Sequence, residues 1–242
     1  MDREKTEQLR EMIAGSSNIV FFGGAGVSTE SSIPDFRSQD GLYSQKYKYP
    51  PEYMLSHSFY ATHTEEFFDF YRSKMIFPNA KPNDAHKKLA QMEREGKLKA
   101  VVTQNIDGLH QAAGSINVLE LHGSVHRNYC ERCGEPYPLK FVLEAEGIPA
   151  CKCGGIVRPD VVLYEEGLDY KTMEAAERYI SGADMLIVGG TSLVVYPAAG
   201  LIRYYRGNKL VLINKDATCY DSKASMVIGG PIGETLAQAW PD

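Results

Sequence analysis

Short, almost wholly apolar runs recur along this chain, and they constrain its fold more than any other feature. Helical patterns accompany them, at residues 3–14, 85–95 and 198–206. Continuous apolar strands that alternate with helices are typical of a parallel sheet covered on both faces. We therefore predict an α/β fold of that kind. The predicted strands are residues 18–22, 99–103, 118–121, 185–188 and 210–213.

Two segments break this alternation. Residues 40–77 are rich in Tyr and Phe, with helical spacing near 65–75, and predict a small helical lobe. Residues 129–157 contain four cysteines and three prolines and predict a separate small module. At 242 residues, the chain fits one full domain with such insertions. We expect a single domain, 1–242, whose large part comprises 1–39, 78–128 and 158–242.

The charge pattern limits the classes of partner. The formal net charge is −5, without a sizeable basic patch, so we expect neither nucleic acid nor an anionic membrane as a partner. Four of the first five residues are charged, and no stretch approaches the roughly 18 apolar residues of a membrane span. We therefore expect a cytoplasmic location.

Two glycine-rich turns follow predicted strands. Residues 23–28 read Gly-Gly-Ala-Gly-Val-Ser, and residues 189–192 read Gly-Gly-Thr-Ser. Such turns either serve tight packing or let backbone N–H groups approach the phosphates of a dinucleotide. The dehydrogenase fingerprint would place a third glycine where this chain has Thr29, which disfavours hydride transfer.

Polar residues follow two other predicted strands. Residues 104–107, Gln-Asn-Ile-Asp, follow the strand that ends at Thr103. They either reach a ligand at the carboxyl edge of the sheet or cap a helix. His122 follows residues 118–121 and is placed at the mouth of the sheet. It can accept a proton near neutral pH, or it can be a hydrogen-bonded structural histidine.

The cysteine spacing predicts a metal site. A C-x-x-C pair and a C-x-C pair are separated by 17 residues, and each pair is followed by glycine. Four thiolates leave tetrahedral zinc no open position, so we predict one structural zinc ion. A zinc ribbon could instead bind nucleic acid, which the acidic balance disfavours. The predicted ligands are Cys130, Cys133, Cys151 and Cys153.

Taken together and in this order, these motifs resemble the sirtuin (Sir2-like) NAD-dependent protein deacylase family, bacterial type. The resemblance also includes residues 33–37, Ile-Pro-Asp-Phe-Arg, and residues 190–193, Gly-Thr-Ser-Leu. It spans about residues 9–238. It implies a Rossmann-like large part, with the zinc module and helical lobe inserted, and a cleft that binds NAD and an acylated lysine.

The resemblance also implies roles for residues at matching positions. The mobile loop over NAD would be residues 35–37, with Phe36 screening the reactive ribose carbon. His122 would be the general base, and Asn105 and Asp107 would be catalytic residues in the nicotinamide and ribose pocket. The implied NAD-binding residues are Gly24, Ala25, Gly26, Asp35, Phe36, Arg37, Gln104, Asn105, Ile106, Asp107, Gly190, Thr191, Ser192, Asn214, Lys215 and Ile232.

An acetylated protein or peptide is the implied partner, added as a strand between two segments of the chain. Residues 164–166, Tyr-Glu-Glu, replace the family's common Phe-Gly-Glu and add bulk and charge at this groove. Asp69 and Arg72 stand where some relatives select acidic acyl groups, and Asp69 would repel a succinyl carboxylate. We therefore expect acetyl and other neutral acyl groups. The implied peptide-binding residues are Val161, Val162, Tyr164, Glu166, Val194 and Val195.

The expected reaction is NAD-dependent removal of acetyl groups from protein lysines, giving nicotinamide, O-acetyl-ADP-ribose and free lysine. Two alternatives stay open from the sequence. One is protein mono-ADP-ribosyl transfer, and the other is a non-catalytic NAD-binding module.

Overall fold

A computed structural model describes residues 3–241, and the predicted domain limits at residues 1 and 242 lie outside this range. Its strands form two sheets, one parallel with six strands and one antiparallel with three. The strands are β1 (Ile19–Gly23), β2 (Leu98–Thr103), β3 (Val118–Glu120), β4 (Gly123–Cys130), β5 (Pro136–Pro138), β6 (Val157–Val161), β7 (Met185–Gly189), β8 (Leu210–Asn214) and β9 (Met226–Gly229).

The large sheet has the order β3-β2-β1-β7-β8-β9. The five predicted strands are confirmed within one residue at each end, whereas β9 was not predicted. The α-helices are α1 (Arg3–Ala14), α2 (Pro51–Met54), α3 (His57–Thr62), α4 (Thr64–Lys74), α5 (Asp84–Arg94), α6 (Leu109–Ala112), α7 (Leu139–Glu144), α8 (Tyr170–Gly182) and α9 (Ile232–Ala239).

Helices cover both faces of the large sheet, as predicted. Alternate residues of β1 point to opposite sides, so Phe21 packs in a core with α1, α5 and α9, while Phe22 packs in a second core with α8. Every residue of β1 and of β7 is buried, which explains why these strands are apolar throughout.

The predicted helix at 198–206 is a tighter 3-10 helix, Ala198–Tyr204, in the structure. It lies on the β1 face that carries Phe22. Gly200, in its middle, disfavours a regular α-helix because of its backbone entropy.

The helical lobe and the cysteine-containing segment share a third core. Phe67 and Tyr71 of α4 are fully buried in it, together with Val142 of α7 and Val157 of β6. The small sheet has the order β5-β4-β6 and begins at Gly123, directly after His122. The two inserted segments are therefore packed against each other.

Within residues 3–241, no helix combines the length and apolar character required to cross a membrane.

Candidate active site

A cleft of about 950 Å³ lies at the carboxyl ends of the large sheet's strands. The strands β1, β2 and β3 follow one another toward one edge of the sheet, and β7, β8 and β9 follow one another toward the other edge. The strand order therefore reverses between the neighbours β1 and β7. Ligands of open parallel sheets bind at such a point. All sixteen predicted NAD-binding residues line this cleft, and so does His122. The roles assigned to them stay predictions.

The two glycine-rich turns meet at the base of the cleft. The Gly26 N–H donates to the Gly190 carbonyl over 2.8 Å. A Cβ on Gly26 would lie 2.7 Å from the Gly190 Cα, and a Cβ on Gly24 would lie 2.8 Å from the Thr191 Cβ. The glycines therefore let the two backbone turns touch, which a side chain at either position would prevent.

We expect Gly190→Ala to weaken NAD binding by about tenfold or more, because the turn cannot keep its shape. Gly190 has a φ of +60°, and its added Cβ would lie 2.3 Å from the Val27 nitrogen. Calorimetric titration with NAD measures the effect. Gly167→Ala is the matched control, since its Cβ would meet nothing within 4 Å. Wild-type NAD affinity in Gly190→Ala would contradict the assigned role of this turn.

A chain of hydrogen bonds holds the glycine-rich turn that follows β7 between residues Gln104 and Asn214. The Gln104 amide Nε2 donates to the Thr191 hydroxyl over 3.0 Å, and the Thr191 N–H donates to the Asn214 Oδ1 over 2.9 Å. The Asn214 Nδ2 is buried and has no partner within residues 3–241. A buried donor without a partner is costly, so it is available to a polar ligand in the cleft.

A second set of hydrogen-bonded polar side chains lies next to the glycine-rich turn that follows β1. The Ser28 hydroxyl donates to the Asp107 carboxylate over 2.6 Å, and the Asn105 Nδ2 lies 3.2 Å from the Ser28 oxygen. Burial raises the pKa of Asp107, while the bonds from Ser28 and from the Leu109 N–H oppose this rise. Ser28 thus holds Asn105 and Asp107 together, a contact that was not predicted because it joins residues 79 positions apart.

His122 lies in the short connection between β3 of the large sheet and β4 of the small sheet. Its Nδ1 lies 2.9 Å from the Gln104 carbonyl oxygen, and its own carbonyl accepts from the Val162 N–H. A carbonyl oxygen can only accept, so Nδ1 carries the proton and Nε2 is left as the basic nitrogen. Burial lowers the pKa of His122, against the opposing effect of the Gln104 bond. The imidazole is therefore neutral at pH 7 and able to accept a proton.

The segment with Asp35, Phe36 and Arg37 forms one wall of the cleft. Tyr43 supports it, since the Phe36 ring meets the Tyr43 ring edge-on and the Arg37 guanidinium lies 5.4 Å from the Tyr43 ring centroid. The Tyr43 and Tyr164 hydroxyls lie 2.7 Å apart and share a hydrogen bond. Tyr43 thus connects the predicted NAD loop to the predicted peptide groove. This role of Tyr43 was not predicted, because nothing in the local sequence pattern marks it.

Five of the six predicted peptide-binding residues line the cleft. The exception is Val194, whose side chain is exposed without lining it. Glu166 lines the cleft, but its carboxylate binds the Arg158 guanidinium and lies 2.8 Å from the His57 Nδ1.

Arg72 and Asp69 do not line the cleft. The Arg72 guanidinium donates to the Asp69 carboxylate and to the Gly147 carbonyl. Arg72 therefore ties α4 to the cysteine-containing segment, and the expectation that this pair faces the acyl group finds no support in its contacts.

The four predicted metal ligands form one cluster. Their sulfur atoms all lie within 4.8 Å of one another, as tetrahedral thiolate coordination requires. The Tyr137 hydroxyl donates to the Cys151 sulfur over 3.1 Å, and a Cβ on Gly155 would lie 2.7 Å from the Cys130 sulfur. The donor set fits one zinc ion with no open position. Cys219 is free and exposed, and it lies outside this cluster.

Comparison with known proteins agrees with this geometry. Residues 24–197 match the sequence profile described as "Sir2 family". The chain is 65% identical over 237 residues to an "NAD-dependent protein deacetylase" of Clostridium acetobutylicum, covering 96% of this chain and 97% of the relative. It is 62% identical to the protein of the same description from Clostridium tetani, covering 98% and 96%.

Solved structures give the same result. A Sir2 histidine-to-alanine variant described with a deacetylated p53 peptide and 3′-O-acetyl ADP-ribose has a TM-score of 0.88 and 39% identity, covering 97% of this chain and 96% of that one. A complex described as Sir2, p53 peptide and NAD⁺ has a TM-score of 0.85 at 39% identity, with the same coverage. This chain belongs to the Sir2 family.

Proposed function

We propose that this protein removes acetyl groups from lysine side chains of other proteins, with NAD as cosubstrate, and that His122 is its general base. The observation that carries the proposal is the position of His122. A neutral imidazole with a fixed tautomer lines a cleft whose base is formed by the two glycine-rich turns, which are suited to a dinucleotide. The similarity to proteins described as NAD-dependent deacetylases supports the same activity.

NAD fits the donor groups of the cleft. The touching turns at Gly26 and Gly190 let the backbone approach its phosphates closely, and the free Asn214 Nδ2 offers a donor to a ribose hydroxyl. Ile232 provides an apolar wall for the adenine. When bound, NAD supplies the ribose carbon that loses nicotinamide and the hydroxyls that take over the acetyl group.

The acetyl-lysine peptide lies between Val161 to Tyr164 on one side and Val195 on the other, and backbone hydrogen bonds supply much of its affinity. Phe36 and Ile106 provide apolar surface in the cleft and keep water from the reacting carbon. Asn105 and Asp107, held by Ser28, keep the polar groups of the pocket in place before the substrates bind.

His122 accepts a proton at Nε2 from a ribose hydroxyl, which makes that oxygen a better nucleophile toward the acetyl carbon. The Gln104 carbonyl holds Nδ1–H and stabilises the imidazolium that forms. Because burial lowers its pKa, the His122 imidazole is ready to accept a proton at neutral pH.

The pH dependence follows from the lowered pKa of His122. The imidazole loses function only when pH falls through this pKa, so we expect the acid limb of kcat/KM below pH 6.5, the ordinary value. Steady-state rates between pH 5 and 8 measure it. An acid limb with its midpoint at pH 7 or above would show that another group controls the rate.

The four-cysteine site supports a cytoplasmic location, since unpaired thiolate ligands need a reducing compartment. We also propose that the inserted segments at 40–77 and 129–157 form one part of a single domain and the remaining residues its large part. Their shared core supports this division.

The two alternatives are separated by one experiment with NAD labelled in its adenylate part. A deacetylase releases nicotinamide only when an acetylated peptide is present, and the label stays in small molecules. A matched unacetylated peptide is the control. Label attached to protein would indicate ADP-ribosyl transfer, and no nicotinamide release with any acetylated peptide would indicate a binding module.

A further inference from the structure

Glu165 has an unusual backbone conformation at the peptide groove. It follows Tyr164, lines the cleft and is exposed, with a φ of +75°. This left-handed region is unfavourable for a residue with a Cβ, so a local interaction must offset the cost.

The Glu165 carboxylate provides that interaction. Its Oε2 accepts from the Ser58 N–H over 2.9 Å and from the Ser58 hydroxyl over 2.6 Å. These bonds lower the pKa of Glu165, so the group is ionised at neutral pH. The backbone also binds the lobe at this point, since the His57 N–H donates to the Tyr164 carbonyl. The charge is thus held in one position before any substrate arrives.

No cation within residues 3–241 forms an ion pair with this carboxylate. Its neighbour Glu166 is paired with Arg158 instead. Three cations line the same cleft, but Arg37 lies over the Tyr43 ring, Lys74 lies over the Tyr47 ring, and Lys215 forms no ion pair with Glu165. The Glu165 Oε1 has no hydrogen-bond partner among the described residues and is open to a ligand.

We propose that Glu165 is a specificity-determining residue that selects acetyl-lysine peptides with a positively charged side chain near the acetyl-lysine, an inference that rests on the proposed deacetylation. A fixed carboxylate binds a cation without losing side-chain entropy of its own. A flanking Arg or Lys of the peptide therefore gains an ion pair, and a flanking Glu or Asp is repelled.

The test uses acetyl-lysine peptides that differ at one position, with Arg, Gln or Glu placed up to two residues on either side. The wild-type protein is expected to favour Arg over Glu by about threefold in kcat/KM at one or more positions, mainly through KM. The preference is expected to shrink at high salt because the pair is exposed.

Glu165→Gln keeps an oxygen for Ser58 and removes only the charge, so the ratio between the Arg and Glu peptides is expected to fall to about one. Glu165→Lys is expected to invert it. Glu144→Gln is the matched control, since Glu144 lies outside the cleft and pairs with Lys140, and its ratio is expected to equal that of wild type.

An unchanged ratio in Glu165→Gln, or no preference in the wild-type protein, would overturn the inference while leaving the deacetylase activity established. Failure to deacetylate any of the peptides would instead overturn the proposed function, and the inference with it.

Discussion

His122→Ala is expected to lower kcat/KM for deacetylation by about a hundred- to ten-thousandfold, the usual contribution of a general base. The His122 imidazole is the group that we assign to proton transfer, and its Nδ1 is bound to the Gln104 carbonyl. The substitution leaves that carbonyl to water and removes the basic Nε2. Rates with an acetylated peptide and NAD measure the loss.

His122→Asn tests whether the hydrogen bond to Gln104 alone is sufficient for activity. An amide can still donate to the Gln104 carbonyl but cannot accept a proton at neutral pH. We expect it to be as inactive as His122→Ala, with NAD affinity retained in both. His63→Ala is the matched control, since His63 stacks on Phe59 outside the cleft. A His122→Ala protein that kept more than about a tenth of the activity would contradict the assigned base.

Removal of zinc is expected to unfold the lobe and the small sheet. Structural zinc contributes about 10–16 kcal/mol of apparent binding free energy in small zinc modules. That is comparable to or larger than the roughly 5–15 kcal/mol of stability of a whole domain. Cys130 and Cys151 are buried in the third core, so loss of the metal also exposes the aromatic side chains of α4.

We therefore expect Cys130→Ala, or wild-type protein stripped by a chelator, to lose its cooperative thermal transition or to melt far below the loaded protein. Metal analysis and calorimetry on the same samples check this. Cys219→Ala is the matched control, because this exposed thiol lies outside the cluster, and it should keep both zinc and melting temperature. A metal-free protein with unchanged melting would refute a structural role.

Much of the fold could be predicted because its signals are local. The apolar strands of the large sheet are continuous runs in the sequence. The spacing of the paired cysteines, each pair followed by glycine, is enough to predict that their four sulfur atoms bind one metal ion. The motif residues line one cleft because parallel strands bring their carboxyl ends together at one edge.

Contacts between distant residues could not be predicted in the same way. The Tyr43–Tyr164 bond joins residues 121 positions apart, and the Glu165 carboxylate reaches Ser58 across 107 positions. The partners of Arg72 depend on how α4 packs against the cysteine-containing segment, and the spacing of residues in the sequence does not predict this packing.

Mass spectrometry of an acetyl-lysine peptide incubated with the protein, with and without NAD, tests the central claim most directly. We predict deacetylated peptide, nicotinamide and acetyl-ADP-ribose in equal amounts, and only with NAD. Nicotinamide released while the peptide stays acetylated, or deacetylation without NAD, would contradict the account.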